Sequence, residues 1–298
     1  MSKKEIGEHV KALKAGNDRE AAAAADALQK DISYDDDRAA IAIEAGVIPP
    51  LVALVTNGSN PRGQRAAAKA LAVISLNARI PAAIVAAGGI GALVALLRNW
   101  SEDHLYLGFE AAQALNHLYS DDVGAVESAA NRAAIVNAAA VDPLVALVTN
   151  GSIGDRGQAA RALAALALCD AIQEAIADAG GIPPLVALVT NGAADEQKWA
   201  VRALGNVGSL NEANQEEIVA AGAVYPLVKL MRDANGSLKD AAVEALQNLD
   251  PVAITSLTWQ LQALQAENAS LKRRLDRAIA PAQDSDGDKQ PPQKRSRG

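Results

Sequence analysis

The sequence predicts an all-α protein, a solenoid of stacked helical units with a period of about 42 residues. The phrase PLVALVTNG occurs at 50–58, 143–151 and 184–192, and looser copies begin at Ala92 and Pro226. Half of the residues are apolar and only 3% are aromatic, which favours closely packed helices over a β-rich domain. Units of this length bury their apolar faces only by stacking on one another. The leading leucines lie 42, 51, 41 and 42 residues apart, at Leu51, Leu93, Leu144, Leu185 and Leu227.

Within the first complete unit, the sequence predicts three helices. The first covers 38–45 and ends at Gly46, because a glycine there lets the chain turn sharply. Two prolines at 49–50 begin the second helix, where a missing N–H does no harm. A longer third helix follows over 64–75, and its many alanines allow close approach to the next unit.

This order of a short helix, an Ala-Gly kink, a Leu-Val-x-Leu helix and a long third helix resembles armadillo repeats over residues 1 to about 250. Four units carry the Ala-Gly kink, and the third unit lacks the glycine. Helix pairs of the HEAT type are the nearest rival, and the glycine-kinked first helix favours the armadillo type. The resemblance implies a right-handed α-solenoid of about five repeats. In that family the third helices line a concave groove that takes partner peptides in an extended conformation.

The solenoid is predicted to begin with a partial capping repeat over 1–32 and to continue to residue 250. The third repeat departs from the others, because Ala139 replaces the kink glycine and an insertion precedes it around 121–131. We therefore expect a longer or tilted first helix there. The repeats are predicted near 35–76, 77–118, 131–168, 170–210 and 211–249, followed by an amphipathic leucine-heptad helix over 251–279 and a disordered polar and basic tail over 280–298.

Nuclear-import receptors of this family place a Trp and an Asn four residues apart on the third helix, and the resemblance locates that pair in each repeat. Only Asn206 and Asn248 keep the asparagine, and no repeat keeps the tryptophan. Recognition of basic import signals is therefore not expected, and an importin-like nuclear transport adaptor stands as an alternative function. A substrate-recognition subunit for ubiquitin ligation is a further alternative, which would need a catalytic domain from elsewhere.

Basic residues replace that pair in the middle of the row of third helices, where Trp199 also stands against small or polar counterparts. This pattern resembles the family's other mode of recognition, in which groove Lys and Arg receive acidic extended peptides. The resemblance implies a non-catalytic scaffold or adaptor that binds an extended, acidic peptide segment of a protein partner, and an exposed Trp beside Arg is a common anchor. The alternatives are that the charges are ordinary solvated residues of amphipathic helices and that Trp199 packs between the third and fourth repeats. The candidate groove residues are Arg65, Lys69, Gln113, His117, Arg161, Lys198, Trp199, Arg202 and Asn206.

The segment after residue 250 carries apolar residues at alternating spacings of three and four, the pattern of a coiled coil. A lone Asn268 at an a position favours a parallel dimer in fixed register, and Glu267 can pair with Lys272 of a second copy. In the competing interpretation, the leucine stripe folds back and covers the end of the last repeat. Both alternatives, a homodimer through 254–278 and a cap, use Ile254, Leu257, Leu261, Leu264, Asn268, Leu271 and Leu275.

Charge is unevenly distributed along the chain. Residues 1–250 hold 20 Lys and Arg against 30 Asp and Glu, a net charge of −10, while 251–298 hold 8 against 5, or +3. The acidic body disfavours duplex nucleic acid as a partner. No apolar run is long enough for a membrane span or a secretory signal, which predicts a cytoplasmic protein, and the basic end Lys294–Arg297 resembles a nuclear-import signal.

Catalysis, metals and cofactors are not expected from the sequence. The three histidines have no Cys or His partner at a spacing that would hold a metal. No nucleophile, base and orienting group can be seen to converge in the pattern of repeats. The sequence therefore predicts a binding protein rather than an enzyme.

Overall fold

The structure is a computed structural model that describes residues 3–15, 17–32, 36–76, 81–100, 106–119, 134–249 and 267–277. The chain divides into two compact units, Met1–Asp250 and Pro251–Gly298. All regular structure in the described ranges is helical, which confirms the predicted all-α class. In those same ranges, no single helix is both long enough and apolar enough to cross a membrane. Two pairs of consecutive helices meet the length and composition criteria when each pair is taken together, but each pair is bent between its helices.

The N-terminal partial repeat consists of two helices, Lys3–Ala15 and Asp18–Ile32. Asn17 starts the second of them, because its side-chain oxygen accepts hydrogen bonds at 3.1 Å from the backbone N–H groups of Arg19 and Glu20. The first helix has a polar outer face and an apolar inner face, as a terminal repeat requires. Its buried side chains are Ile6, Val10 and Leu13.

Each of the five repeats that follow has a first, a second and a third helix, and the third packs against the second. The first helices are Asp36–Glu44, Pro81–Ala86, Asp170–Asp178 and Glu212–Ala220, and in the third repeat one helical turn is described at 134–137. The second helices are Ile48–Asn57, Gly89–Arg98, Val141–Asn150, Ile182–Asn191 and Val224–Asp233. The third helices are Pro61–Ile74, Leu107–Tyr119, Ile153–Leu166, Ala194–Val207 and Ser237–Gln247.

A left-handed residue separates the first helix from the second in every repeat. Gly46 has a φ of 76°, and its N–H donates to the carbonyl of Ile43 at 2.8 Å. Ala139 adopts the same conformation with a φ of 51°, and its N–H donates to Val136 at 2.9 Å. The third repeat therefore keeps the kink without its glycine, and its first helix is not prolonged at the C-terminal end. The beginning of that helix lies outside the described residues.

The third helices pack side by side through all repeats and form one continuous row. The row continues from Leu107–Tyr119 to Ile153–Leu166, so the insertion between the second and third repeats does not interrupt it. Close approach depends on small side chains: a Cβ added to Gly205 would lie 3.2 Å from the Cα of Ala245 in the next third helix. The core also contains the leading leucines of the second helices, Leu51, Leu93, Leu144, Leu185 and Leu227.

The C-terminal compact unit is described over one helix, 267–277, in which every residue is exposed. Asn268 and two of the predicted heptad leucines lie on this helix. Leu271 and Leu275 have 49% and 59% of their surface exposed. The other heptad candidates, Ile254, Leu257, Leu261 and Leu264, lie outside the described residues, as does the basic tail Lys294–Arg297.

Candidate peptide-binding groove

The candidate groove residues all lie on the third helices, and none of them is buried. Within each helix they are separated mainly by four residues, so they share one face. Because the third helices form one row, these faces are continuous from the first repeat to the fourth. We call this surface the third-helix groove. It contains Arg65, Lys69, Gln113, His117, Arg161, Lys198, Trp199, Arg202 and Asn206.

Polar side chains at one repeated position connect neighbouring third helices. The Nδ2 of Asn206 donates to the carbonyl of Ala164 in the preceding repeat, at 2.7 Å. The equivalent Asn248 donates to the carbonyl of Gly205 at 3.0 Å. The third residue at this position, His117, has its Nδ1 2.9 Å from the carbonyl of Ala72, again one repeat back.

These contacts assign a stacking role to the position that carries the asparagine of the family pattern. Val73 and Ala165 occupy the same position in the first and third repeats and have no side chain that could donate. The Nδ2 of Asn206 is already engaged by the protein, through its bond to Ala164. Its Oδ1 keeps its acceptor capacity.

His117 is held in one neutral tautomer. Burial lowers the pKa of its imidazole, the hydrogen bond to Ala72 opposes that shift, and the positive charge of Arg161 adds to it. Because the Ala72 carbonyl can only accept, Nδ1 carries the proton. His117 therefore supports the packing of the first and second repeats and brings no charge to the groove at neutral pH.

Three cations surround the ring of Trp199. The Cζ of Arg161 lies 4.7 Å from the ring centroid, the Nζ of Lys198 5.1 Å and the Cζ of Arg202 5.3 Å. Arg161 comes from the third repeat and the other three residues from the fourth, so the ring lies across the junction between two third helices. It is only partly buried. Trp199 thus contacts residues of both repeats and keeps part of its surface exposed.

The cations of this Trp199 cluster have no acidic partner in the part of the chain that the structure describes. Among the described residues, no carboxylate lies within 4.0 Å of Arg161, Lys198 or Arg202. Each contact with the indole contributes about 0.5–1 kcal/mol at such a partly exposed site. The like charges repel one another, and the ring offers no neutralising charge. The cluster is therefore a concentrated positive patch on an acidic repeat domain.

A second contact between a cation and an aromatic ring lies between the first and second repeats. The Cζ of Arg65 is 4.7 Å from the ring centroid of Tyr106, and the ring of Tyr106 meets Phe109 edge to face at 6.3 Å. Tyr106 has a left-handed backbone with a φ of 71°. Spacing within the repeats gives no indication of this contact, because it depends on that unusual turn before the third helix.

In contrast to the Trp199 cluster, this second contact is neutralised internally. The Nε of Arg65 lies 3.5 Å from Oε1 of Glu110. Glu110 is only 3% exposed, and its Oε2 has no hydrogen-bond partner among the described residues. Burial raises the pKa of the Glu110 carboxyl, and the charges of Lys69 and Arg65 oppose that shift. Glu110 stands at the third-helix position that Trp199 occupies in the fourth repeat.

Two other buried acids have structural roles. Asp155 forms a capping box with Ser152 at the start of its own helix. It also accepts a hydrogen bond at 2.8 Å from the backbone N–H of Phe109 in the preceding repeat. Glu196 accepts one from the Nε of Arg156, also at 2.8 Å. These contacts join the second, third and fourth repeats. In the part of the chain that the structure describes, no group of three or more His, Cys, Asp or Glu could hold a metal ion.

Comparison with known proteins agrees with this architecture. The family model for the armadillo/beta-catenin-like repeat matches residues 35–76. An engineered protein of known structure is 34% identical over 86% of this chain and 98% of its own, with a TM-score of 0.73. A designed armadillo repeat protein in complex with the peptide (KR)4 is 26% identical over 82% of this chain and 99% of its own, with a TM-score of 0.70. Curated protein sequences gave no significant match.

The chain belongs to the armadillo repeat family. A third similar structure, of computationally designed armadillo repeat proteins for modular peptide recognition, is 25% identical over 82% of this chain and 100% of its own, with a TM-score of 0.71. The predicted α-solenoid of armadillo-type repeats is thereby confirmed. Its fold is that of a scaffold for protein interaction.

Proposed function

We propose that this protein is a non-catalytic adaptor whose third-helix groove binds an extended, acidic segment of a protein partner. The observation that carries the proposal is the Trp199 cluster, in which Arg161, Lys198 and Arg202 gather around one partly exposed ring. Exposed aromatic and arginine side chains are common anchors of binding energy. Their charge selects an acidic partner.

The ligand expected for this groove differs in charge from the peptide bound by a similar design. That design was solved in complex with (KR)4, a basic peptide. In the present chain, a basic peptide laid along the third helices would meet Arg161 and Arg202 without any acid of the cluster to offset them. An acidic segment would gain at those positions and be repelled by the acidic remainder of the repeat domain. Binding would then concentrate at the cationic positions, which favours one register.

A nuclear transport adaptor is less well supported. Asn206 and Asn248 are the two asparagines that match the family's import pattern, and each donates its amide to the preceding third helix. The third-helix positions that would hold the paired tryptophans carry Lys69, Arg161 and Arg202 among others. The cytoplasmic and nuclear assignments, and the role in ubiquitin ligation, remain predictions from the sequence.

Charge reversal tests the proposal. In the triple variant Lys69→Glu, Arg161→Glu, Arg202→Glu, we expect a fluorescent glutamate-rich peptide to lose its binding, measured by anisotropy at low salt. A matched control, Lys4→Glu, Lys11→Glu, Lys229→Glu, makes the same change in net charge at exposed positions outside the groove. The control should keep most of the affinity. Equal binding by both variants, with unchanged circular dichroism, would exclude the groove as the site.

A further inference from the structure

We propose that the Trp199 cluster is a subsite for a phosphorylated side chain of the partner segment. This inference rests on the proposed function, because it assumes that the groove takes an acidic peptide. It goes further by naming one position on the groove and one chemical group. The group is a phosphate monoester on a serine, threonine or tyrosine of the bound protein.

The first support is the convergence of charge. The charged groups of Arg161, Lys198 and Arg202 all lie within 5.3 Å of one ring centroid, and they come from two neighbouring helices. A single carboxylate brings one negative charge to these three cations. A phosphate monoester carries a charge of about −1.5 to −2 at neutral pH and three strong acceptor oxygens. The dianion therefore matches the cluster better in charge and in number of acceptors.

The second support is the geometry of the donors. Arginine presents a planar fork of N–H groups that fits phosphate oxygens in pairs, and two of the three cations are arginines. The indole holds both guanidinium groups against its surface, which reduces the freedom they would lose on binding. The indole N–H of Trp199 donates to no group among the described residues, so it is a further donor for a ligand oxygen.

The third support comes from the contrast with the second repeat. There Glu110 occupies the position of Trp199 and supplies an internal carboxylate to Arg65 at 3.5 Å. In the fourth repeat the aromatic ring replaces that acid, and the described residues offer no substitute. The protein thus neutralises one cationic site of the groove by itself and leaves the other to a ligand. One phosphate per chain is the expected occupancy.

The test uses libraries of acidic peptides that are identical except for a fixed central residue, which is serine, glutamate or phosphoserine. For the wild-type chain we expect the phosphoserine library to bind about tenfold more tightly than the serine library, with the glutamate library between them. In the double variant Arg161→Gln, Arg202→Gln, the ratio should fall close to one. The control Lys229→Gln removes one exposed charge outside the groove and should keep the wild-type ratio.

The outcomes separate the two proposals. If the acidic libraries bind the wild-type chain equally and the double variant weakens all of them alike, the subsite takes carboxylates and the phosphate inference is overturned. If none of the acidic libraries binds, the proposed function itself fails. Inorganic phosphate is an independent probe: it should displace the phosphoserine library from the wild-type chain and from the Lys229→Gln control. Failure to compete at millimolar concentration would also contradict the subsite.

Discussion

Asn206 donates its side-chain amide to the carbonyl of Ala164, 2.7 Å away on the third helix of the preceding repeat. The acceptor lies one residue before the position that is equivalent to Asn206 in its own repeat. The same offset recurs where Asn248 bonds Gly205 and where His117 bonds Ala72. These bonds fix the register in which third helices stack, and hence the spacing of groove side chains that a partner would contact.

Asn206→Ala should therefore destabilise the repeat domain by about 1 kcal/mol, because one inter-repeat hydrogen bond is lost and no backbone N–H of the described residues donates to the Ala164 carbonyl in its place. The measurement is the urea midpoint followed by circular dichroism. Asn191→Ala is the matched control, since Asn191 is exposed at the end of a second helix. A control that loses as much stability as Asn206→Ala would show that the bond to Ala164 contributes nothing of its own.

Ala139→Gly should stabilise the chain by about 1 kcal/mol. Ala139 has a φ of 51°. The left-handed conformation costs a residue that has a Cβ about 1 kcal/mol of free energy, and glycine avoids this cost. Ala179 precedes the kink glycine of the fourth repeat with an ordinary φ of −74°, so Ala179→Gly should destabilise instead. Thermal unfolding of both variants checks the pair. A loss of stability in Ala139→Gly would contradict the assigned backbone.

Glu110→Gln should stabilise the protein at neutral pH, and the gain should shrink on acidification. Burial raises the folded-state pKa of Glu110, so ionisation opposes folding above that pKa. Below the usual carboxyl pKa near 4.5, the group is protonated in both states and the penalty is absent. The difference in urea midpoint between variant and wild type should therefore fall from pH 7 towards pH 4. A difference that grows with acid would reverse the assigned direction.

Exposed leucines on the helix 267–277 predict self-association. Leu271 and Leu275 have 49% and 59% of their surface exposed, and Asn268 belongs to the same heptad pattern. We expect the full chain to sediment as a dimer at micromolar concentration and the variant Leu271→Lys, Leu275→Lys as a monomer. A wild-type chain that stays monomeric at that concentration would favour the capping alternative for the leucine stripe.

The period of the leucines was sufficient to predict the solenoid, because a repeated unit of this length has few ways to bury its apolar face. The missing glycine at Ala139 suggested a distorted third repeat. The structure keeps the kink, since alanine can adopt a left-handed conformation when the surrounding contacts require it. The packing between repeats therefore outweighs the local preference of alanine for a negative φ.

Aligning the repeats also located the groove cations and Trp199, because each is defined by its position on one helix. Contacts between helices were harder to predict. The bond from Asn206 to Ala164 depends on the axial offset of two third helices. The contact of Arg65 with Tyr106 depends on a left-handed turn. Neither the axial offset of the helices nor the left-handed turn can be deduced from the spacing of residues along a single repeat.

The central claim is that the charge of the third-helix groove selects the partner. The most direct measurement compares the affinities of the wild-type chain and of the variant Lys69→Glu, Arg161→Glu, Arg202→Glu for a glutamate-rich peptide and for (KR)4. We predict that the wild-type chain prefers the acidic peptide, and that the variant reverses this preference while remaining folded. A wild-type chain that prefers (KR)4, or a preference that the variant leaves unchanged, would contradict the account.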